Sequence, residues 1–223
     1  MYLEAGTTLD KDAQTHDSAV FIMNGGLVSD QVWAMDSSTF NINGGKVASE
    51  SRAYNGTIHL NGGTTLKAWA EESGTFHMSG GTVGWDALAR DNGTFILKGG
   101  ELGVERQNGN GAINVQQQGD VYIEAVDFGT GFSPSQTITL GDLAADPQGS
   151  TWMNGTVLDL TFADGSKTAL DFRARNGTMI PSLEWSGNLH LVQVPEPSAW
   201  ATTLGICGFI LAIITHRKRH PER

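Results

Sequence analysis

Phe40-Asn41-Ile42-Asn43-Gly44-Gly45-Lys46-Val47 decides the fold, because the chain repeats that phrase five times with small changes. The other copies lie at residues 21–28, 58–63, 76–83 and 95–102, and the first glycines of the pairs fall at 25, 44, 62, 80 and 99. The steps are 19, 18, 18 and 19 residues, and a fixed period of this size marks a stacked-repeat architecture. Four residues before each first glycine stand Phe21, Phe40, Ile58, Phe76 and Phe95. Two before stand Met23, Ile42, Leu60, Met78 and Leu97. The alternation with mostly polar neighbours (Asn41, His59, His77) predicts a strand with one buried face. Gly-Gly ends it, since glycine turns the chain at φ > 0 without steric cost. Val28, Val47, Thr65, Val83 and Leu102 form a second inward column three residues past that glycine.

Such a unit holds two or three short strands and has no core of its own. Stacking buries like on like in continuous columns. The expected fold is therefore all-β: a single-stranded parallel β-helix over residues 1–127, right-handed by preference. A left-handed hexapeptide helix fits less well because no six-residue repeat subdivides the unit, and the nonapeptide pattern of a calcium β-roll is missing. Residues 1–16 read as a worn first coil. They carry neither the apolar core nor the basic start of a secretory signal peptide. Beyond Glu105 the phrase degenerates through Ile113 to Ala125. Residues 128–194 are expected to form an antiparallel β cap continuous with the solenoid, with a hairpin turning at Asp164-Gly165 and a closing strand over 188–194; a separate small β-sandwich domain is the alternative.

Composition narrows the function classes. The 29 glycines exceed the usual share of about 7%, and charged residues are 17% against about 25%, which suits a turn-rich solenoid with polar uncharged faces. Cys207 is the only cysteine, so neither an intrachain disulfide nor a cysteine metal cluster holds the fold. Residues 1–198 carry 10 positive and 23 negative charges, a net −13. An acidic body repels phosphate backbones, so no nucleic-acid partner is expected.

Three residue sets are candidates for chemistry. Asp17, Asp36, Glu72 and Asp91 align before the strands, with Tyr54 interrupting the column. Acids there suit turn chemistry. The competing readings are a calcium ladder through Asp36, Glu72 and Asp91 and a carboxylate pair of a polysaccharide lyase or glycosidase. His59 and His77 stack on adjacent coils facing outward, and without a third ligand they read as exposed strand residues. Trp33 and Trp69 share an offset, eleven residues before the glycine, where Ser51 and Leu88 stand in other coils. They read as a packing column or, alternatively, a sugar-stacking platform. Asn55, Asn92, Asn154 and Asn176 begin Asn-Gly-Thr, which Asn-Gly turns explain without glycosylation. No phosphate-binding loop, nucleophile elbow or His-Glu-x-x-His is present, and no cofactor is expected.

Residues 195–223 differ in kind. Pro195-Glu196-Pro197 makes an extended spacer, and residues 199–215 carry no charge. Seventeen residues reach the short limit for a transmembrane helix. Leu204, Phe209, Ile210, Leu211, Ile213 and Ile214 would face lipid, and Trp200 suits an interface. Arg217, Lys218 and Arg219 follow as a basic stop-transfer cluster, which places the body outside the cytoplasm. This order resembles the PEP-CTERM sorting signal of Gram-negative bacteria, and the repeats resemble autotransporter-like β-helices more loosely. The resemblance implies an exosortase partner, cleavage near Pro195-Glu196-Pro197, and passage from an inner-membrane anchor to the envelope or exopolysaccharide matrix. Such proteins normally begin with a signal peptide, from which this start departs. An ordinary C-terminal anchor is the plainer reading of the tail. The expected role is a non-enzymatic structural or adhesive protein of the envelope or matrix; the alternative is a carbohydrate-binding or carbohydrate-cleaving protein on the same scaffold.

Overall fold

The structure is a computed structural model of the chain; it describes residues 1–103, 112–116, 118–128, 136–139, 157–171 and 188–195. The expected membrane helix at 199–215, Glu196, Pro197 and the basic cluster lie outside the described residues, as do Asn154 and Asn176. Residues Met1–Gln193 form one compact unit, within which no boundary separates the solenoid from its cap.

The chain winds as a parallel solenoid. The opening coil is β1 (Tyr2–Leu3), β2 (Thr8–Leu9) and β3 (Ala13–Thr15), and the next is β4 (Val20–Met23), β5 (Leu27–Val28) and β6 (Val32–Met35). Then come β7 (Thr39–Ile42) with β8 (Lys46–Tyr54), β9 (Thr57–Leu60) with β10 (Thr64–Glu71), β11 (Thr75–Val83) with β12 (Asp86–Ala89), and β13 (Thr94–Leu102) with β14 (Ala112–Val115). β15 (Asp120–Ala125), β16 (Gln136–Thr139), β17 (Val157–Thr161), β18 (Lys167–Asp171) and β19 (Asn188–Gln193) follow.

Pairing is parallel and runs one coil to the next. The first face stacks β1, β4, β7, β9, β11, β13, β15 and β19. Phe21, Phe40, Ile58, Phe76, Phe95, Val121 and Leu189 superpose along it in register, all buried. Phe21 stacks on Phe40 with ring centroids 4.4 Å apart, and Phe76 on Phe95 at 5.2 Å. The second face carries the Val28, Val47, Thr65, Val83 and Leu102 column, each at most 2% exposed. Thr65 sits among aliphatic neighbours because Ser51 Oγ donates to its hydroxyl at 2.9 Å. That removes the cost of a buried unpaired hydroxyl.

A third face was not legible in the repeated phrase. Its strands point small residues inward: Ala34, Ala53, Ala70 and Ala89 in one column, Val32, Ser51, Ala68 and Ala87 in the other. Large residues on the first face fill the interior, so the third wall takes mostly alanine and serine, with Val32 the largest of these eight.

Both glycines of each pair are required, for different reasons. The second has φ between 74° and 89° in all five copies. The first is constrained by the neighbouring coil: a Cβ on Gly62 would meet the Asn43 carbonyl oxygen at 2.5 Å, and one on Gly80 that of Asn61 at the same distance. A further glycine column precedes the first-face strands at Gly56, Gly74, Gly93 and Gly119; a Cβ on Gly74 would lie 2.0 Å from the Ala53 carbonyl oxygen. Gly74→Ala is therefore expected to destabilise by about 2 kcal/mol or more, as overpacking against backbone does. Ser38→Gly, at the equivalent place in an earlier coil, should cost about 1 kcal/mol, chiefly the buried Ser38–Thr15 hydroxyl pair at 2.8 Å. Urea titration of both variants checks the order; equal losses would contradict the steric account.

The opening residues form a complete coil, since β1, β2 and β3 pair in parallel with β4, β5 and β6. At the other end β16 runs antiparallel to β19, and β17 and β18 form an antiparallel hairpin turning at Asp164 and Gly165 (φ 83°). The hairpin is tied to β13: Gly100 N–H donates to Ser166 Oγ at 3.1 Å and Leu102 N–H to Thr168 Oγ1 at 3.2 Å. Buried Leu160, Phe162 and Leu170 complete the core there. The closing strand β19 also stacks in parallel on β15, so it is a rung of the first face as well as part of the cap.

Candidate functional site

Three outward surfaces carry the polar chemistry. The first is the turn column. Asp17, Asp36, Glu72 and Asp91 all have φ between 53° and 56°, the left-handed region, and Asn55 joins them at 58°. The residue interrupting the acids is thus Asn55. Tyr54 lies one place earlier, in register with Met35 and Glu71. The coil is one residue shorter between Tyr54 and Thr57 than its neighbours, which shifts the alignment by one. Left-handed backbone favours Asp and Asn, so turn geometry accounts for four of the five without a ligand; Glu72 is the unusual member. Among the described residues, no three His, Cys, Asp or Glu side chains converge on a position fit for a metal ion.

The second surface is on the third face. Here Arg52 stands in register with Trp33 and Trp69, a place the eleven-residue offset assigns to Ser51; the turn that is one residue shorter between Tyr54 and Thr57 accounts for the shift. Its guanidinium carbon lies 4.8 Å from the Trp33 ring and 3.9 Å from that of Trp69. One face of each indole is therefore covered by a cation between the two rings. Arg52 donates through Nε to Glu50 Oε2 at 2.9 Å, and Lys67 Nζ to Glu50 Oε1 at 2.8 Å. Glu71, only 3% exposed, lies 3.0 Å from Arg90 Nη2 and 3.7 Å from Arg52 Nη1. Burial pushes the Glu50 carboxyl up, but hydrogen bonds from Lys67 and Arg52 outweigh it and hold the group below its ordinary value of 4.5. These charges are used on one another. Sequence reading missed the set, although Ala68-Trp69-Ala70 and Ala87-Leu88-Ala89 show the period-two spacing of its strand.

The third surface is the outside of the first face. Between buried residues, three columns point outward: Thr39, Thr57, Thr75 and Thr94; Asn41, His59, His77 and Ile96; and Asn24, Asn43, Asn61 and Ser79. The asparagines form an amide ladder. Asn61 Nδ2 donates to Asn43 Oδ1, Asn43 Nδ2 to Asn24 Oδ1 and Asn24 Nδ2 to Glu4 Oε1, each at 3.0 Å, and Ser79 Oγ donates to Asn61 Oδ1 at 2.8 Å. All these bonds point one way, so each polarises the next. His59 and His77 stack with centroids 4.8 Å apart and planes at 13°.

Burial pushes both imidazoles below their ordinary value of 6.5, and for His77 a charged His59 or Lys98 adds to the effect while Glu124 opposes it. The folded state thus resists protons that the unfolded chain accepts. Stability is expected to be full above about pH 6.5 and to fall as pH drops from there toward the depressed values. The His59→Gln, His77→Gln double variant should lose that slope in urea midpoints measured between pH 7.5 and 5. An unchanged slope would remove the histidines from the account.

Over the described residues the fold is an all-β parallel solenoid with an antiparallel cap. Comparison with protein-family models, curated proteins and solved structures finds no match to this chain.

Proposed function

We propose that this is a non-enzymatic structural or adhesive protein of the bacterial envelope or extracellular matrix, sorted there through its C-terminal segment. The observation that carries the structural role is the uncharged, hydrogen-bonded lattice on the first face, built on a stack whose third-face charges lie in ion pairs with one another. Rigid repetition of one motif suits a scaffold that presents a surface. The sorting role rests on residue order: Pro195-Glu196-Pro197, the uncharged stretch 199–215 as a transmembrane helix, then Arg217, Lys218 and Arg219. On this reading an exosortase recognises the tail, and the body lies outside the cytoplasm. We take the solenoid as right-handed.

Replacing Pro195-Glu196-Pro197 by three alanines should leave the full chain in the inner membrane of an exosortase-bearing host. Unchanged delivery to the surface would remove the sorting role. The second reading, a carbohydrate-cleaving enzyme, draws on the exposed carboxylates of Asp36 and Glu72. Polysaccharide turnover that disappears in Asp36→Asn or Glu72→Gln would favour it over the scaffold.

A further inference from the structure

We propose that the lattice on the first face is a docking surface for a single chain of neutral, hydroxyl-rich polysaccharide, laid across successive coils. The inference deepens the adhesive reading and rests on it, by giving the ligand class and the surface that holds it.

Charge selects the class. Every outward position of this face from Val20 to Ser79 is formally uncharged at neutral pH, on a body that carries −13. The border is acidic: exposed Asp17, Asp36 and Glu72 line the turns that lead into the strands. A polyanion would be repelled along the whole edge, and between Glu4 at one end of the ladder and the Lys98–Glu124 pair at the other the face offers a polycation no anionic seat. A neutral chain meets neither obstacle.

Hydrogen-bonding capacity agrees. An asparagine amide has two N–H donors and two acceptor lone pairs. In the ladder Asn24, Asn43 and Asn61 each use one donor and one lone pair on their neighbours, which leaves one of each for a ligand. The threonine hydroxyls alongside both donate and accept, and the neutral imidazoles of His59 and His77 do the same at their two ring nitrogens. Sugar hydroxyls need this mixture. The side chains are already ordered by the ladder and by the imidazole stack, so little rotamer entropy is lost on binding.

Area decides between a polymer chain and a second copy of this protein. Outward residues on a strand are about 7 Å apart and coils about 4.8 Å apart, so the uncharged lattice covers roughly 400 Å². A stable protein pair buries about 800 Å² per partner, twice what is offered. A thin linear ligand needs no more width than three columns. It also meets a threonine and further neutral hydrogen-bonding side chains again on each of the three coils from Thr39 to Ser79, so affinity should grow with chain length.

The test uses the full chain in detergent and gels containing glucomannan, xylan, hydroxyethylcellulose or polygalacturonate. At least one neutral polymer should retard the protein, and polygalacturonate should not. With the retained polymer, calorimetry should show its hexasaccharide binding at least tenfold more tightly than its disaccharide. Asn43→Ala combined with Thr57→Ala should weaken binding tenfold or more while the far-ultraviolet circular dichroism spectrum is unchanged, and Lys46→Ala, beyond the lattice, should bind normally. If the double variant misfolds, Asn41→Asp alone should give the same loss. No retention by any neutral polymer, retention by polygalacturonate, or indifference to a folded lattice variant would overturn the proposal. Normal surface delivery without glycan retention fails this inference alone, whereas turnover of the polymer fails the non-enzymatic reading beneath it.

Discussion

Phe76→Ala should lower the unfolding free energy by about 3–5 kcal/mol, the range for emptying a fully buried phenylalanine site. Phe76 has no exposed surface, stacks on Phe95 and lies in register with Ile58 on the other side. In a globular core the surroundings close part of such a cavity. Here the coils on both sides are held apart by the strand pairing itself, so collapse would break backbone hydrogen bonds. The cavity should persist, which places the loss toward the upper end. Because each coil touches only its neighbours, the lesion should also weaken the join between the two halves of the stack. Circular dichroism in urea gives the free energy, and amide exchange along β9, β11 and β13 gives the location. A loss below about 1 kcal/mol, or exchange that rises only in distant coils, would contradict a stacked interior.

Arg52→Met should cost about 3 kcal/mol, the lower end of the range for removing one partner from a buried ion pair, because the guanidinium is still 18% exposed. The methionine keeps an apolar stem between Trp33 and Trp69, so the loss reads the charge more than the packing. Among the described residues, Glu50 would keep only Lys67 and Glu71 only Arg90 as close cationic partners. The pH dependence gives a second readout. With its pKa depressed in the folded state, Glu50 contributes stability that is present above the unfolded value of 4.5 and lost as pH falls through the lower folded value. In the variant the folded value should move up, so this contribution shrinks, and the acid unfolding curve should begin at higher pH. Arg52→Lys should not restore the wild-type curve, since an ammonium lacks the planar face that lies against two indoles. Full recovery by lysine would show that only net charge matters at this place.

Much of the first face was readable because its signal is redundant. Five copies of an alternating strand closed by Gly-Gly set the period, and the inward residues two and four places before the glycine are the ones found stacked. The hairpin at Asp164-Gly165 was legible for a local reason, the turn chemistry of that pair. The third face was hidden because alanine and serine carry little hydrophobic contrast, so its alternation does not stand out from a linker. Counting from the glycines also failed at two residues. Coils that differ in length by one residue between corners move Arg52 into the tryptophan column and Asn55 into the acid column.

Residue order alone establishes that coils repeat, which side chains point inward on two walls, and that the body is acidic while residues 199–215 are uncharged, because each of these depends on local spacing or composition. Which residues meet between coils was decided only in three dimensions. The amide ladder, the arginine held between two indoles and the paired imidazoles each join residues 17 to 20 positions apart, and that register is set by how adjacent coils pair rather than by any single stretch of chain.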